Sequence, residues 1–298
     1  MKMADIHILH QSDFYRIEDF RCHCEVCSVT DPEYNKSFSI SFIRKGFFEY
    51  QTFKRNEEMH AGRILISKPG FEHKTRHIDN QPDIITIFEF RRNFFDDNIL
   101  DVYGNKLPWI LKNNDIHSLM VNATPELEYH HQRIFQKITS GKYNSLEIDE
   151  LVIALLEKVM TLLGSAETPE NIPGKLKQFH LATIATARDY ILSHFKENIS
   201  LQQLAAHCLV SPFHFSRIFK TIIKISPHQF LRSVRLTHAK VLLTETSSPV
   251  SDIAYECGFN SPEHFVTAFR QHYKIKPSTL REQHVWKSKI SKLIFLLK

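Results

Sequence analysis

The chain has 298 residues, of which 42% are hydrophobic and 24% charged, with a formal net charge of +5. That length suggests two domains, and the apolar content excludes a disordered tail or a collagen-like chain. Glycine is scarce, at 8 residues, and no G-x-G-x-x-G or G-x-x-x-x-G-K occurs, which excludes Gly-rich phosphate loops.

The charge is divided unevenly. From Lys175 onward 18 Lys and Arg face 7 Asp and Glu, a balance of +11; the preceding residues carry 20 against 26, a balance of −6. An acidic half joined to a basic half is expected where one domain meets a polyanion. Residues 1–20 hold no signal-peptide apolar core, and no apolar run approaches a membrane span, so a soluble, cytoplasmic protein is expected. Five Cys without a secretion signal argue against a disulfide framework.

Residues 14–95 read as β-rich. Phe38–Ile43 alternates, and Ile84–Phe90 does so in part, with turn signals at Lys45-Gly46, Ala61-Gly62, Pro69-Gly70 and Asn80-Gln81-Pro82. Short strands at that spacing predict an antiparallel barrel or sandwich. Phe42, Phe48, Phe53, Phe88 and Phe90 are expected inside it. Cys22, Cys24 and Cys27 crowd into six residues of this region. They read either as a thiolate metal site or redox sensor, with His73 or His77 as further ligands, or as half-buried thiols of a strand. No fourth Cys lies close, so the strong zinc spacing is missing.

From Thr124 the period becomes helical. Thr124-Pro125 reads as a cap with proline in the first turn, and Leu127, His131, Ile134, Phe135 and Ile138 mark one face. A second helix is predicted from about Ser145 to Leu163. The pair is either core packing or a dimer surface. Residues 165–178 hold two Pro, one Gly and polar side chains, and read as a linker between a domain at 1–164 and one at 179–298.

The second half contains a repeat. Ser211–Pro227 aligns with Ser261–Pro277, with eight of seventeen positions identical at an offset of 50. Each copy opens on Ser-Pro, a helix cap followed by proline. Phe215, Ile218, Phe219 and Ile222 form the inward stripe of the first copy; Phe265, Ala268, Phe269 and His272 are expected inward in the second. A short helix and a tight turn precede each copy, giving helix-turn-helix twice. A longer helix from Pro227 to about Leu243 joins them. Together with the +11 charge, this pattern points to double-stranded DNA.

The residues Leu204-Ala205, Ser211-Pro212, His214-Phe215-Ser216-Arg217-Ile218-Phe219-Lys220, Ser226-Pro227, Arg232, Arg235, Ala239, Leu242-Leu243, Ile253-Ala254, Gly258-Phe259, His264-Phe265, Phe269-Arg270, Pro277 and Arg281 closely resemble the AraC/XylS family of bacterial transcription regulators. The match covers about residues 180–282. It implies sequence-specific DNA binding, RNA polymerase as a partner, a homodimer, and base-contact positions at Pro212, Phe213, Ser216 and Arg217 and at Pro262, Glu263, Val266 and Thr267. Lys220 and Arg270 are expected on phosphate. The family pattern has Gly where Lys224 and Lys274 stand. Gly62-x6-Pro69-Gly70-x2-His73 resembles the sugar-sensing, cupin-like barrel of family members, while the metal-binding cupin pattern is not found.

The expected fold is therefore α+β in two domains: an N-terminal cupin-like β-barrel with a helical pair, then an all-α double helix-turn-helix module. The expected function is a transcription regulator, not an enzyme, whose barrel senses a small effector. No cofactor is required. The alternative is a cysteine-based metal sensor, with zinc at Cys22, Cys24 and Cys27, or a redox sensor, acting through the same DNA module.

Overall fold

A computed structural model describes residues 4–23, 29–52, 56–78, 82–94, 108–113, 116–165 and 174–284. The chain divides into two compact units, Met1–Thr186 and Ala187–Lys298. Most of the expected linker, residues 166–173, lies outside the described residues.

Among the described residues the first unit holds ten strands in two sheets. β1 (Ala4–Gln11), β2 (Tyr15–Cys22), β4 (Phe38–Lys45), β7 (Arg63–Ser67), β9 (Ile84–Phe90) and β10 (Ser118–Asn122) form a six-stranded sheet in the order β1-β2-β9-β4-β7-β10. β3 (Glu33–Tyr34), β5 (Phe47–Thr52), β6 (Asn56–His60) and β8 (Glu72–His77) form a four-stranded sheet in the order β3-β8-β5-β6. All the pairings are antiparallel.

Among the described residues two short helices, α1 (Arg92–Phe94) and α2 (Trp109–Lys112), precede β10. The helical pair follows it: α3 (Pro125–Ser140) and α4 (Ser145–Ser165). Thr124 caps α3 as expected, its hydroxyl accepting from the Leu127 N–H at 3.2 Å. Gly141 ends the helix in the left-handed region at φ 67°.

Strand alternation gives the large sheet two different faces. Tyr15, Ile17, Phe38, Ile40, Phe42, Ile64, Ile66, Phe88, Phe90, Leu119 and Val121 pack into one core with Leu127 and Ile134 of α3 and Val152, Leu155, Val159 and Leu163 of α4. The pair is thus core packing. The opposite face contributes Ile43, Leu65, Ile85 and Met120 to a second core shared with Phe48, Tyr50 and Met59 of the small sheet.

This corrects two expectations. Among the described residues the strands make two sheets and no closed, cupin-like barrel. The helical pair covers one face of the large sheet and the small sheet shares a core with the other, so burial is reached without ring closure. Phe42, Phe88 and Phe90 also face the helices rather than the space between the sheets, because they share the parity of Phe38 and Ile40. Phe48 does face that space, and Phe53 lies outside the described residues.

α5 (Gly174–His194) leads into the second unit, which contains α6 (Leu201–His207), α7 (Pro212–Ile223), α8 (Pro227–Glu245), α9 (Val250–Glu256) and α10 (Pro262–Tyr273). Ser200 and Ser226 each form a capping box, with Gln203 and Gln229. α8 serves both repeats. Its Phe230 meets Phe219 of α7 edge-on at 5.8 Å, while its Leu236, Ala239 and Leu243 join Ile253, Ala254, Phe265 and Phe269 in the core of the second copy. Nineteen helical residues at ~1.5 Å each make α8 about 28 Å long.

Candidate nucleic-acid interface

The two helix-turn-helix units share their hydrogen bonds. In the first, Cys208 N–H donates to Leu204 O, Leu209 N–H to Ala206 O and Val210 N–H to Ala205 O, at 3.1, 3.0 and 3.0 Å. In the second, Cys257, Gly258 and Phe259 donate to Ile253, Tyr255 and Ala254 at 3.0, 2.9 and 3.0 Å. The offset here is 49, whereas the following helices repeat at 50. One residue, Asn260, is therefore added to the second turn. Both turns pass through the left-handed region, with Leu209 at φ 57° and Gly258 at φ 81°.

Ser211 and Ser261 cap α7 and α10, their hydroxyls accepting from the His214 and His264 N–H groups at 3.4 and 3.2 Å. Phe215, Ile218, Phe219 and Ile222 are buried, as are Phe265, Ala268 and Phe269. His272, expected inward, is exposed. The last inward seat of α10 goes instead to Tyr273, whose ring packs 4.8 Å from Phe269.

The outward positions differ between the copies. On α7, Pro212, Phe213, Arg217 and Lys220 are exposed and Ser216 is half-buried. Phe213 is 80% exposed, far more than a core aromatic tolerates. On α10, Glu263, Thr267 and Arg270 are exposed, and Pro262 and Val266 are half-buried. Each set therefore occupies one helix face, and both include a cation one turn beyond the candidate base-reading positions, Lys220 and Arg270.

Both helices end left-handed at lysine, Lys224 at φ 68° and Lys274 at φ 62°. Such a conformation costs a residue with a Cβ about 1 kcal/mol, partly offset by a positive charge at a helix C-terminus. Lys224→Gly and Lys274→Gly should each stabilise the second unit by about 0.5–1 kcal/mol in urea unfolding. A loss of stability in either variant would contradict the strain argument.

Two arginines hold the repeats in place, a role the sequence reading did not assign. Arg235 Nε donates to Phe195 O at 2.7 Å and its Nη2 to Glu197 O at 2.6 Å. Burial pushes this guanidinium below its ordinary value. Arg281 donates to Ser248 O at 2.7 Å and to Leu243 O at 3.5 Å. Each arginine follows one helix-turn-helix and ties down the chain that enters it.

In the first unit a cavity of about 430 Å³ lies between the sheets, a size suited to a small molecule. Ser39, Ser41 and Ser67 line one side; Tyr50, His73, Thr75 and His77 line the other. Glu18 sits there against Arg16 at 2.9 Å, its carboxyl raised by burial against the pull of that arginine. Burial also lowers the His73 imidazole, which stacks on Tyr50 at 4.7 Å.

Of the cysteine cluster, Cys22 is buried at the end of β2, while Cys24 and Cys27 lie outside the described residues. Cys22 Sγ is 3.8 Å from His77 Nε2, and His77 Nδ1 is 2.7 Å from Asp83 Oδ2. Among the described residues no three His, Cys, Asp or Glu side chains are placed to hold a metal ion. Here the imidazole stands between Cys22 and Asp83, with Nε2 nearer the one and Nδ1 nearer the other, so the donors do not converge on one point.

A family described as "Helix-turn-helix domain" matches residues 204–283. The HTH-type transcriptional activator RhaS of Klebsiella pneumoniae (strain 342) is 31% identical over 280 residues, covering 92% of this chain and 97% of the relative. The uncharacterized HTH-type transcriptional regulator SACOL0084 of Staphylococcus aureus (strain COL) is 25% identical over 274 residues, covering 88% of this chain. The chain spans only 34% of the length of that relative. Among solved structures, the DNA-binding domain of AdpA in complex with a target DNA is 28% identical, covering 35% of this chain and 95% of that one, at a TM-score of 0.34. Unsaturated fatty acid bound ToxT from Vibrio cholerae strain SCE256 is 12% identical, covering 91% and 96%, at a TM-score of 0.40. On the match to RhaS along nearly its whole length, this chain belongs to the AraC/XylS family of transcriptional regulators.

Proposed function

We propose that this protein regulates transcription by binding a specific double-stranded DNA site through α7 and α10, each entering one of two successive major-groove segments. The observation that carries this reading is the pair of matched helix-turn-helix units fixed to one helix, α8, each presenting a polar face with a cation, Lys220 or Arg270. At about 28 Å, α8 is of the order of one DNA turn, ~34 Å. The cavity between the sheets of the first unit takes a small effector, RNA polymerase is the partner at the promoter, and the working form is a homodimer.

Arg217 suits a bidentate contact to a guanine, Glu263 a contact to a cytosine amino group, and Lys220 and Arg270 suit phosphates. Selection of bound sequences from a random DNA pool should yield one consensus spanning two major-groove segments. Arg217→Ala should then cost about 1–3 kcal/mol at one base position. Lys220→Ala should weaken cognate and random DNA alike and lower the salt slope by about 1. Recovery of no consensus, or equal losses on both DNAs for Arg217→Ala, would overturn these assignments.

A further inference from the structure

The relay at Cys22 is not used by the DNA-binding reading, and its geometry has a chemistry of its own. Three backbone features assemble it. Cys22 ends β2 on the parity of Arg16, Glu18 and Phe20, all of which line the cavity. Its N–H donates to Asp83 O at 2.9 Å, which fixes the start of β9 beside it. His77 ends β8 opposite Phe48 of β5. His77 and Asp83 both line the cavity.

Cys22, His77 and Asp83 are 3%, 9% and 1% exposed. Asp83 Oδ2 stands 2.7 Å from Nδ1, on the side of the ring away from the thiol contact, and Nε2 stands 3.8 Å from Sγ. A buried imidazole oriented in this way can take a thiol proton, the arrangement that turns a cysteine into a nucleophile. In the second unit burial works against the thiolate. Burial, with the Glu256 carboxylate, pushes Cys257 up to about 12, and burial raises Cys208.

We propose that Cys22 is a site of covalent modification by small α,β-unsaturated carbonyl compounds that enter the cavity, with His77 and Asp83 as its positioning residues. The step balances without an oxidant. The thiol proton passes to His77 Nε2 while the sulfur lone pair forms a bond to the β-carbon of the electrophile. The C=C π pair shifts onto the carbonyl as an enolate, and the proton on His77 returns to the α-carbon. The product is a thioether on Cys22, beside the His77 and Asp83 side chains that line the cavity.

The test uses the full-length folded protein carrying Cys24→Ser and Cys27→Ser, so that the peptide around Cys22 holds one thiol. It is treated with N-ethylmaleimide, and each labelled peptide is followed by mass spectrometry. Cys22 should label at least about tenfold faster than Cys257. His77→Gln should slow Cys22 about tenfold and move the rise of its rate to higher pH, while leaving the rate at Cys208 unchanged. Hydrogen exchange in β2, β8 and β9 of the unlabelled His77→Gln protein should match that of the parent, which reports that the first unit is folded. Labelling of Cys22 no faster than Cys257, or a rate and pH profile indifferent to His77→Gln, would overturn the proposal. Faster exchange in β2, β8 and β9 of the unlabelled variant would place His77 in the structure rather than in a reactive relay.

Discussion

Gly258→Ala should destabilise the second unit by about 3 kcal/mol, read as a lowered midpoint in urea unfolding followed by circular dichroism. The glycine sits at φ 81°, and a Cβ there would stand 2.5 Å from Lys196 O and 3.0 Å from both Lys196 C and Arg235 Nη2. The left-handed backbone accounts for about 1–2 kcal/mol and the overpacking for about 1–3 kcal/mol. The neighbouring backbone cannot retreat freely, because Arg235 grips the carbonyls of Phe195 and Glu197 on either side of it. Leu209 occupies the corresponding turn position in the first copy at φ 57° but is 92% exposed. Leu209→Ala should therefore change stability by less than about 0.5 kcal/mol. Equal effects of the two alanines would remove the steric argument.

Gly46→Ala should have a comparable effect on the first unit, about 3 kcal/mol. Gly46 turns the chain between β4 and β5 at φ 99°, and a Cβ would fall 2.8 Å from both Cα and Cγ of Asp83. Asp83 is 1% exposed and is held by the Cys22 N–H and by His77. Pushing it aside would strip a buried carboxyl of its partner, which adds to the backbone strain. Hydrogen exchange resolves the two units. Gly46→Ala should speed exchange in β4, β5 and β9 and leave α7 and α10 untouched, and protection retained in β9 would count against the prediction.

The second unit was more legible in the sequence than the first. Its periodic stripes, Ser-Pro caps and duplicated spacing are local signals, and they located Phe215, Phe219, Phe265 and Phe269 in the core and Arg217, Lys220 and Arg270 on the surface. What failed there was His272, at a helix end where Tyr273 could compete for the same seat. Arg235 and Arg281 were visible as part of the pattern, but their bonds go to carbonyls about forty and thirty-odd residues away, which no local spacing encodes. In the first unit, alternation marked β4 and β9 but gave no means of deciding which face met the helices. Both faces of the large sheet are apolar in part, so parity alone left Phe42, Phe88 and Phe90 on the wrong side. β1 and β10 were missed because they lie outside the run that reads as β-rich and pair with strands from within it. The cavity and the Cys22 relay depend on three strand ends meeting, a product of sheet register alone.

The two helix-turn-helix units are related but no longer equivalent. Asn260 lengthens the second turn by one residue, and the candidate reading faces carry Phe213 and Arg217 in one copy against Glu263 and Thr267 in the other. Under the proposed function, one chain would therefore give its target a head and a tail. A site turned end for end would set each helix against the other's bases. Polarity would thus be written into each half-site, before any second copy of the chain is recruited.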